Sequence, residues 1–118
     1  VTDAITIHYL EIVTPEAEQV CASYSDALMC EFSAPEPALG NARIAKLNSG
    51  GMLGIRLPMH DAEDPVSRPY YLVEDIEKAV TVASQSGAEV IVPPMDIPGF
   101  GKCSIVTYGN IQSGFWQV

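Results

Sequence analysis

Two histidines, three cysteines and fifteen carboxylates are the raw material for a reactive site in this chain of 118 residues. Their spacing excludes the commonest arrangements. His8 and His60 stand too far apart for a His-x-His or His-x-x-x-His metal pair, and Cys21, Cys30 and Cys103 form no Cys-x-x-Cys motif. The chain has no Ser–His–Asp order, P-loop or Gly-x-Gly-x-x-Gly. Gly99-Phe100-Gly101-Lys102 leads into a strand pattern and not a helix, so it reads as a turn. His60 lies beside Asp61 in a polar stretch and reads as solvated, and Cys21 belongs to a helical apolar stripe. Cys103 neighbours Lys102, but adjacent strand residues point to opposite faces, which argues against an activated thiolate. What remains is a phenol and a carboxylate on one strand. In Ile5–Val13, alternation groups Tyr9, Glu11 and Val13 on one face and His8, Leu10 and Ile12 on the other. The second face is expected to meet the core. The first is either solvated or lines a cleft, which makes Glu11 the candidate general base.

The elements that position these residues are legible from period and punctuation. After the first strand, Ala17, Val20, Cys21, Tyr24, Ala27 and Leu28 recur at helical spacing, with Thr14 as expected N-cap and Pro15 at the helix start. Three strands are expected next, at Cys30–Ala34, Ala42–Leu47 and Met52–Leu57, with a turn at Asn48-Ser49-Gly50-Gly51. A connection rich in proline and acid covers 58–68. The pattern then repeats: a strand at Tyr70–Val73, a helix opened by Asp75 and closed by Gly87, and strands at Glu89–Val92, Cys103–Thr107 and Ser113–Val118. Glu16 and Asp75 open equivalent helices 59 residues apart, half of 118, so the chain reads as an internal duplication. The expected organisation is one domain over 1–118, with module one at 1–57, a linker at 58–68 and module two at 69–118.

Composition sets the outer bounds. Six Lys and Arg against fifteen Asp and Glu give a net charge of −9, which disfavours nucleic acid and anionic membrane surfaces as partners. No apolar run approaches the roughly 20 residues needed to span a bilayer. An odd cysteine count without a disulfide framework makes a cytoplasmic location the expectation.

The duplicated pattern resembles the vicinal oxygen chelate superfamily, which includes glyoxalase I, bleomycin-resistance proteins and extradiol dioxygenases, and in particular its small glyoxalase-like members. The resemblance is carried by Tyr9-Leu10-Glu11-Ile12-Val13-Thr14-Pro15-Glu16 and Ser23-Tyr24, and more strongly by Tyr70-Tyr71-Leu72-Val73-Glu74-Asp75-Ile76, Gly87-Ala88-Glu89-Val90, Pro93-Pro94-Met95-Asp96-Ile97-Pro98-Gly99 and Phe115-Trp116-Gln117. It implies an α+β fold of two βαβββ modules, their strands forming an open, cup-shaped mixed sheet with helices outside and a ligand cavity within. It also implies a homodimer. The family usually holds a divalent metal on His or Gln and Glu from both modules. Aligned on the acids that open the helices, the two metal histidines fall on Tyr9 and Arg68, one glutamate falls near Gly54 and the other on or near Gly114. No metal and no other cofactor is therefore expected. On this registration the cup carries Tyr9, Glu11, Arg68, Tyr70 and Trp116 as ligand-binding residues, suited to a small organic anion. Alternatively, Glu11 and Arg68 pair with each other and close the cup. Three functions stay open: a metal-independent small-molecule binder; an enzyme of the superfamily, a lyase, isomerase or dioxygenase using a divalent metal or Glu11 as base; and a noncatalytic module with a filled cup.

Overall fold

Strand alternation, two capped helices and glycine-marked turns become seven strands and two helices in a computed structural model that describes residues 4–48 and 50–118. The chain is an α+β protein. It divides into two compact units, one of residues 9–67 and the other of residues 68–118 with the N-terminal segment up to His8.

In the unit of residues 9–67, β1 (Ile7–Val13) runs parallel to β3 (Met52–Arg56), with Tyr9 opposite Met52 and Glu11 opposite Gly54. Parallel neighbours require a crossover, and α1 (Ala17–Leu28) supplies it. β2 (Arg43–Lys46) pairs antiparallel with β3 on its other side. The helix packs Ala17 and Cys21 on Ile55, with Ile12, Val20, Tyr24 and Phe32 around them. Burial raises the Cys21 thiol above its ordinary value, with the Glu18 charge acting in the same direction. That fits a packing residue, not a reactive one. Thr14 does not cap α1: its hydroxyl accepts the Glu16 N–H at 3.2 Å, and Glu16 occupies the cap position with no side-chain bond to the helix.

Two expectations for this unit are corrected. Cys30–Ala34 forms no strand. Only Ser33 engages β2, its N–H donating to the Ile44 carbonyl at 2.8 Å and its hydroxyl accepting the Ile44 N–H at 3.0 Å. Beyond it, Pro35 and Pro37 have no N–H to extend a ladder, and Pro37–Leu39 turns as a 3-10 helix. The second correction concerns the faces of β1. Tyr9, Glu11 and Val13 are the fully buried residues, whereas Leu10 and Ile12, on the apolar face, are only half-buried. A phenol and a compensated carboxylate lie deeper here than leucine.

In the second unit the strand order is β4 (Val66–Leu72), β7 (Ile111–Gln117), β6 (Gly101–Tyr108), β5 (Glu89–Ile97). β4 is parallel to β7, with Tyr70 opposite Gly114 and Leu72 opposite Trp116, and the other pairings are antiparallel. β4 starts at Val66, inside the stretch expected as a connection, and β5 continues through Pro93 and Pro94 to Ile97. The prolines are tolerated because the register of β5 against β6 shifts between Val92 and Met95. α2 (Ile76–Gln85) opens as expected. Asp75 Oδ1 accepts the Lys78 N–H at 3.1 Å, and Gln117 Oε1 accepts the Ile76 N–H at 2.9 Å. Just past its end, Gly87 adopts φ +105°, a left-handed conformation that side-chain-bearing residues resist. The helix packs Ala83 on Val106, with Ala88, Val90 and Phe115. Among the described residues no helix is long and apolar enough to cross a membrane.

Candidate functional site

In each unit the helix covers one face of the strands, and alternation sends the candidate residues to the other. On β1 that face carries Tyr9 and Glu11; on β3, one place either side of Ile55, it carries Gly54 and Arg56. Tyr9 is 2% exposed and its ring lies against Gly54, so closely that a Cβ built on the glycine would fall inside the phenol. Glu11 accepts a hydrogen bond from Arg56 Nε at 2.8 Å, and both side chains are buried. The guanidinium then forks onto Glu63, with Nη1 donating to Oε1 at 2.9 Å and Nη2 to Oε2 at 2.7 Å. Glu63 Oε1 also accepts the Met59 N–H at 2.7 Å, which ties the acidic segment after β3 to the end of that strand. Burial works against the Arg56 charge. The Glu63 bonds and the Glu11 charge outweigh it and hold the guanidinium above its ordinary value. Glu11, the expected general base, is thus the buried counter-ion of an arginine that sequence reasoning did not single out.

The second unit repeats the arrangement with other partners. Register places Arg68 and Tyr70 of β4 beside Gln112 and Gly114 of β7. Arg68 is 6% exposed and donates twice to Gln112 Oε1, from Nε at 3.0 Å and Nη2 at 2.7 Å. Its Nη1 lies 3.5 Å from the Tyr70 hydroxyl. The Tyr70 ring covers Gly114 so tightly that a Cβ there would again meet the aromatic carbons. Trp116 stands edge-on to Tyr70, centroids 5.6 Å apart at 88°, and its Nε1–H donates to the Phe100 carbonyl at 2.8 Å. Gln112 was also missed, although counting back two places from Gly114 and four from Trp116 along one strand puts it on the same face.

His8 lies near the start of β1 and is half-buried. Its ring stacks at a tilt on Trp116, centroids 5.7 Å apart, and burial lowers its pKa below the ordinary 6.5. Between that lowered value and 6.5 the unfolded chain takes up a proton that the native protein refuses. Stability is therefore complete above pH 6.5 and is lost as pH falls through the native His8 pKa. An NMR titration is expected to place His8 below 6.5, and His8→Gln is expected to flatten this part of the stability–pH curve.

The superfamily's metal does not fit these residues. Of the four positions, Gly54 and Gly114 have no side chain and no room for one, Arg68 is a cation, and only the Tyr9 phenol is left. Among the described residues no three His, Cys, Asp or Glu side chains converge as an alternative ligand set.

No family model matches the chain. Two curated proteins, each described as "Putative glyoxylase CFP32", from Mycobacterium bovis and Mycobacterium tuberculosis, are 25% identical over 108 residues. The match covers 91% of this chain, which spans 41% of the length of those relatives. Among solved structures, a hypothetical protein from Bacillus halodurans C-125 superposes with a TM-score of 0.77 at 10% identity, covering 98% of this chain and 96% of that one. Methylmalonyl-CoA epimerase from Mycobacterium tuberculosis gives 0.73 at 11% identity, covering 94% and 86%.

Proposed function

Since the chain has the glyoxalase-like fold of the vicinal oxygen chelate superfamily, we propose that it binds a small organic anion without a metal, on the helix-free face of β4 and β7. The observation that carries this reading is Arg68: a buried guanidinium that donates twice to Gln112 Oε1 and lies beside the Tyr70 hydroxyl, whose ring in turn meets the Trp116 indole edge-on. A guanidinium oriented in advance recognises a carboxylate or phosphate at little further ordering cost, and the aromatic rings offer flat apolar contact to the rest of the molecule. The ligand class also agrees with the acyl-CoA named in the epimerase likeness. Catalysis by Glu11 is not part of the proposal, because Arg56 already engages that carboxylate.

The test is a thermal-shift screen of small carboxylates, phosphate monoesters and methylmalonyl-CoA against wild type, Arg68→Ala and Arg68→Lys. A ligand at 100 times its Kd stabilises by about 2.7 kcal/mol, which raises Tm by several degrees in a domain of this size. Anionic compounds are expected to give that rise in wild type, part of it in Arg68→Lys and none in Arg68→Ala. Equal shifts in all three proteins, or a preference for neutral compounds, would refute the assignment.

A further inference from the structure

On the α1 side of the unit of residues 9–67 lies a cavity of about 560 Å³. Its apolar surface comes chiefly from Pro35, Ile55, Pro58 and Met59, and its polar surface from Glu18, Asn41, Arg43 and Arg56. Gly40 and Asn41 take φ of +67° and +63° in succession and turn the chain around its rim. A side chain at Gly40 would collide with Met59 and crowd the Arg56 stem, so this position has to stay bare for the wall to form.

Arg43 is the reason to assign a ligand. Its side chain is two-thirds buried, and its one ionic partner among the described residues is Glu18, whose carboxylate is 73% exposed. Nε lies 2.8 Å from Glu18 Oε2, yet the buried Nε–H is not aligned to make a hydrogen bond with it. Nη1 and Nη2 make no hydrogen bond to the protein among the described residues. A guanidinium on a two-thirds-buried side chain, its terminal fork unused, on the wall of a partly apolar cavity, is matched by a carboxylate. Two of the three arginines in a chain of charge −9 border this one cavity, but Arg56 is already satisfied by Glu11 and Glu63. We propose that the cavity binds an aliphatic monocarboxylate, its carboxylate on the Arg43 fork and its chain against Pro35, Pro58 and Met59. The volume lies within the roughly 300–1,000 Å³ of small-molecule sites and accepts a body of several carbons. This site is independent of the one proposed at Arg68.

Titrating the ¹⁵N-labelled protein with sodium hexanoate, and separately with hexanol, tests the assignment. Hexanoate is expected to shift the Gly40, Asn41 and Arg43 Nε–H resonances to saturation, and hexanol is not. Arg43→Gln should weaken hexanoate binding about tenfold, the loss of one charge-assisted contact. Glu18→Gln, which removes the competing carboxylate from an exposed position, should tighten it about threefold. In Arg68→Ala the hexanoate-induced shifts of Gly40, Asn41 and Arg43 should persist, while any shifts around Gln112 and Gly114 should vanish, which separates failure here from failure of the proposed function. Saturation by hexanol, shifts confined to the surroundings of Arg68, or a Kd unmoved by both Arg43→Gln and Glu18→Gln would overturn the proposal.

Discussion

Arg56→Met is expected to destabilise the protein by about 3–5 kcal/mol, the cost of leaving a buried carboxylate without its counter-ion. The side chains of Glu11 and Glu63 are 9% and 17% exposed, and both are ion-paired to this guanidinium. The loss comes less from the attraction removed than from the charge stranded. That distinction can be measured, because the double variant Glu11→Leu, Arg56→Met removes both members of the inner pair. It should recover most of the loss, since a well-packed apolar pair often equals a buried ion pair in stability. Urea unfolding of the four proteins of the cycle gives the coupling directly. A single variant as stable as wild type would show that Glu11 is solvated in solution. A double variant no better than the single one would place the cost in packing instead.

Trp116→Ala is the second large effect, expected at about 3–5 kcal/mol. The indole is 1% exposed, and its loss opens a void beside Tyr70 and strips the Phe100 carbonyl of its 2.8 Å donor. Trp116→Phe keeps a six-membered ring but loses the N–H and the rest of the indole, so its cost, about 1 kcal/mol for the hydrogen bond plus a smaller void, should fall below that of Trp116→Ala. A second readout links the indole to the histidine that stacks on it. With the ring gone, His8 is hydrated, and its titration should return toward 6.5. If His8 titrates identically in Trp116→Ala, its depressed value does not come from burial against the indole.

These effects also divide what local pattern reveals from what it hides. The helices were legible because their signals act within a few residues: Asp75 reaches three residues ahead to the Lys78 N–H, and Gly87 supplies a left-handed turn where it stands. Alternation likewise put Tyr9 with Glu11 without reference to any other strand, whereas Arg68 lay in the expected linker and was set beside Tyr70 only by the family resemblance. Apolarity as a guide to burial failed on β1, because it scores a carboxylate as exposed unless its partner is known. The Cys30–Ala34 strand failed because its β-forming residues could not outweigh the prolines that follow.

The amino-acid sequence alone determined the α+β class, the duplicated order of elements and the absence of imidazole from the superfamily's two histidine positions. Tertiary structure decided the partners. Glu11 and Arg56 are separated by 45 residues, and Arg68 and Gln112 by 44. Such pairs meet only through the register of parallel strands, which no short-range preference encodes. The same register explains the glycines. Gly54 and Gly114 look like missing glutamates along the chain, but in space they are the clearance that Tyr9 and Tyr70 require. A ring can close over a neighbouring strand only where that strand has no side chain, so phenol and glycine are one packing solution divided between distant segments.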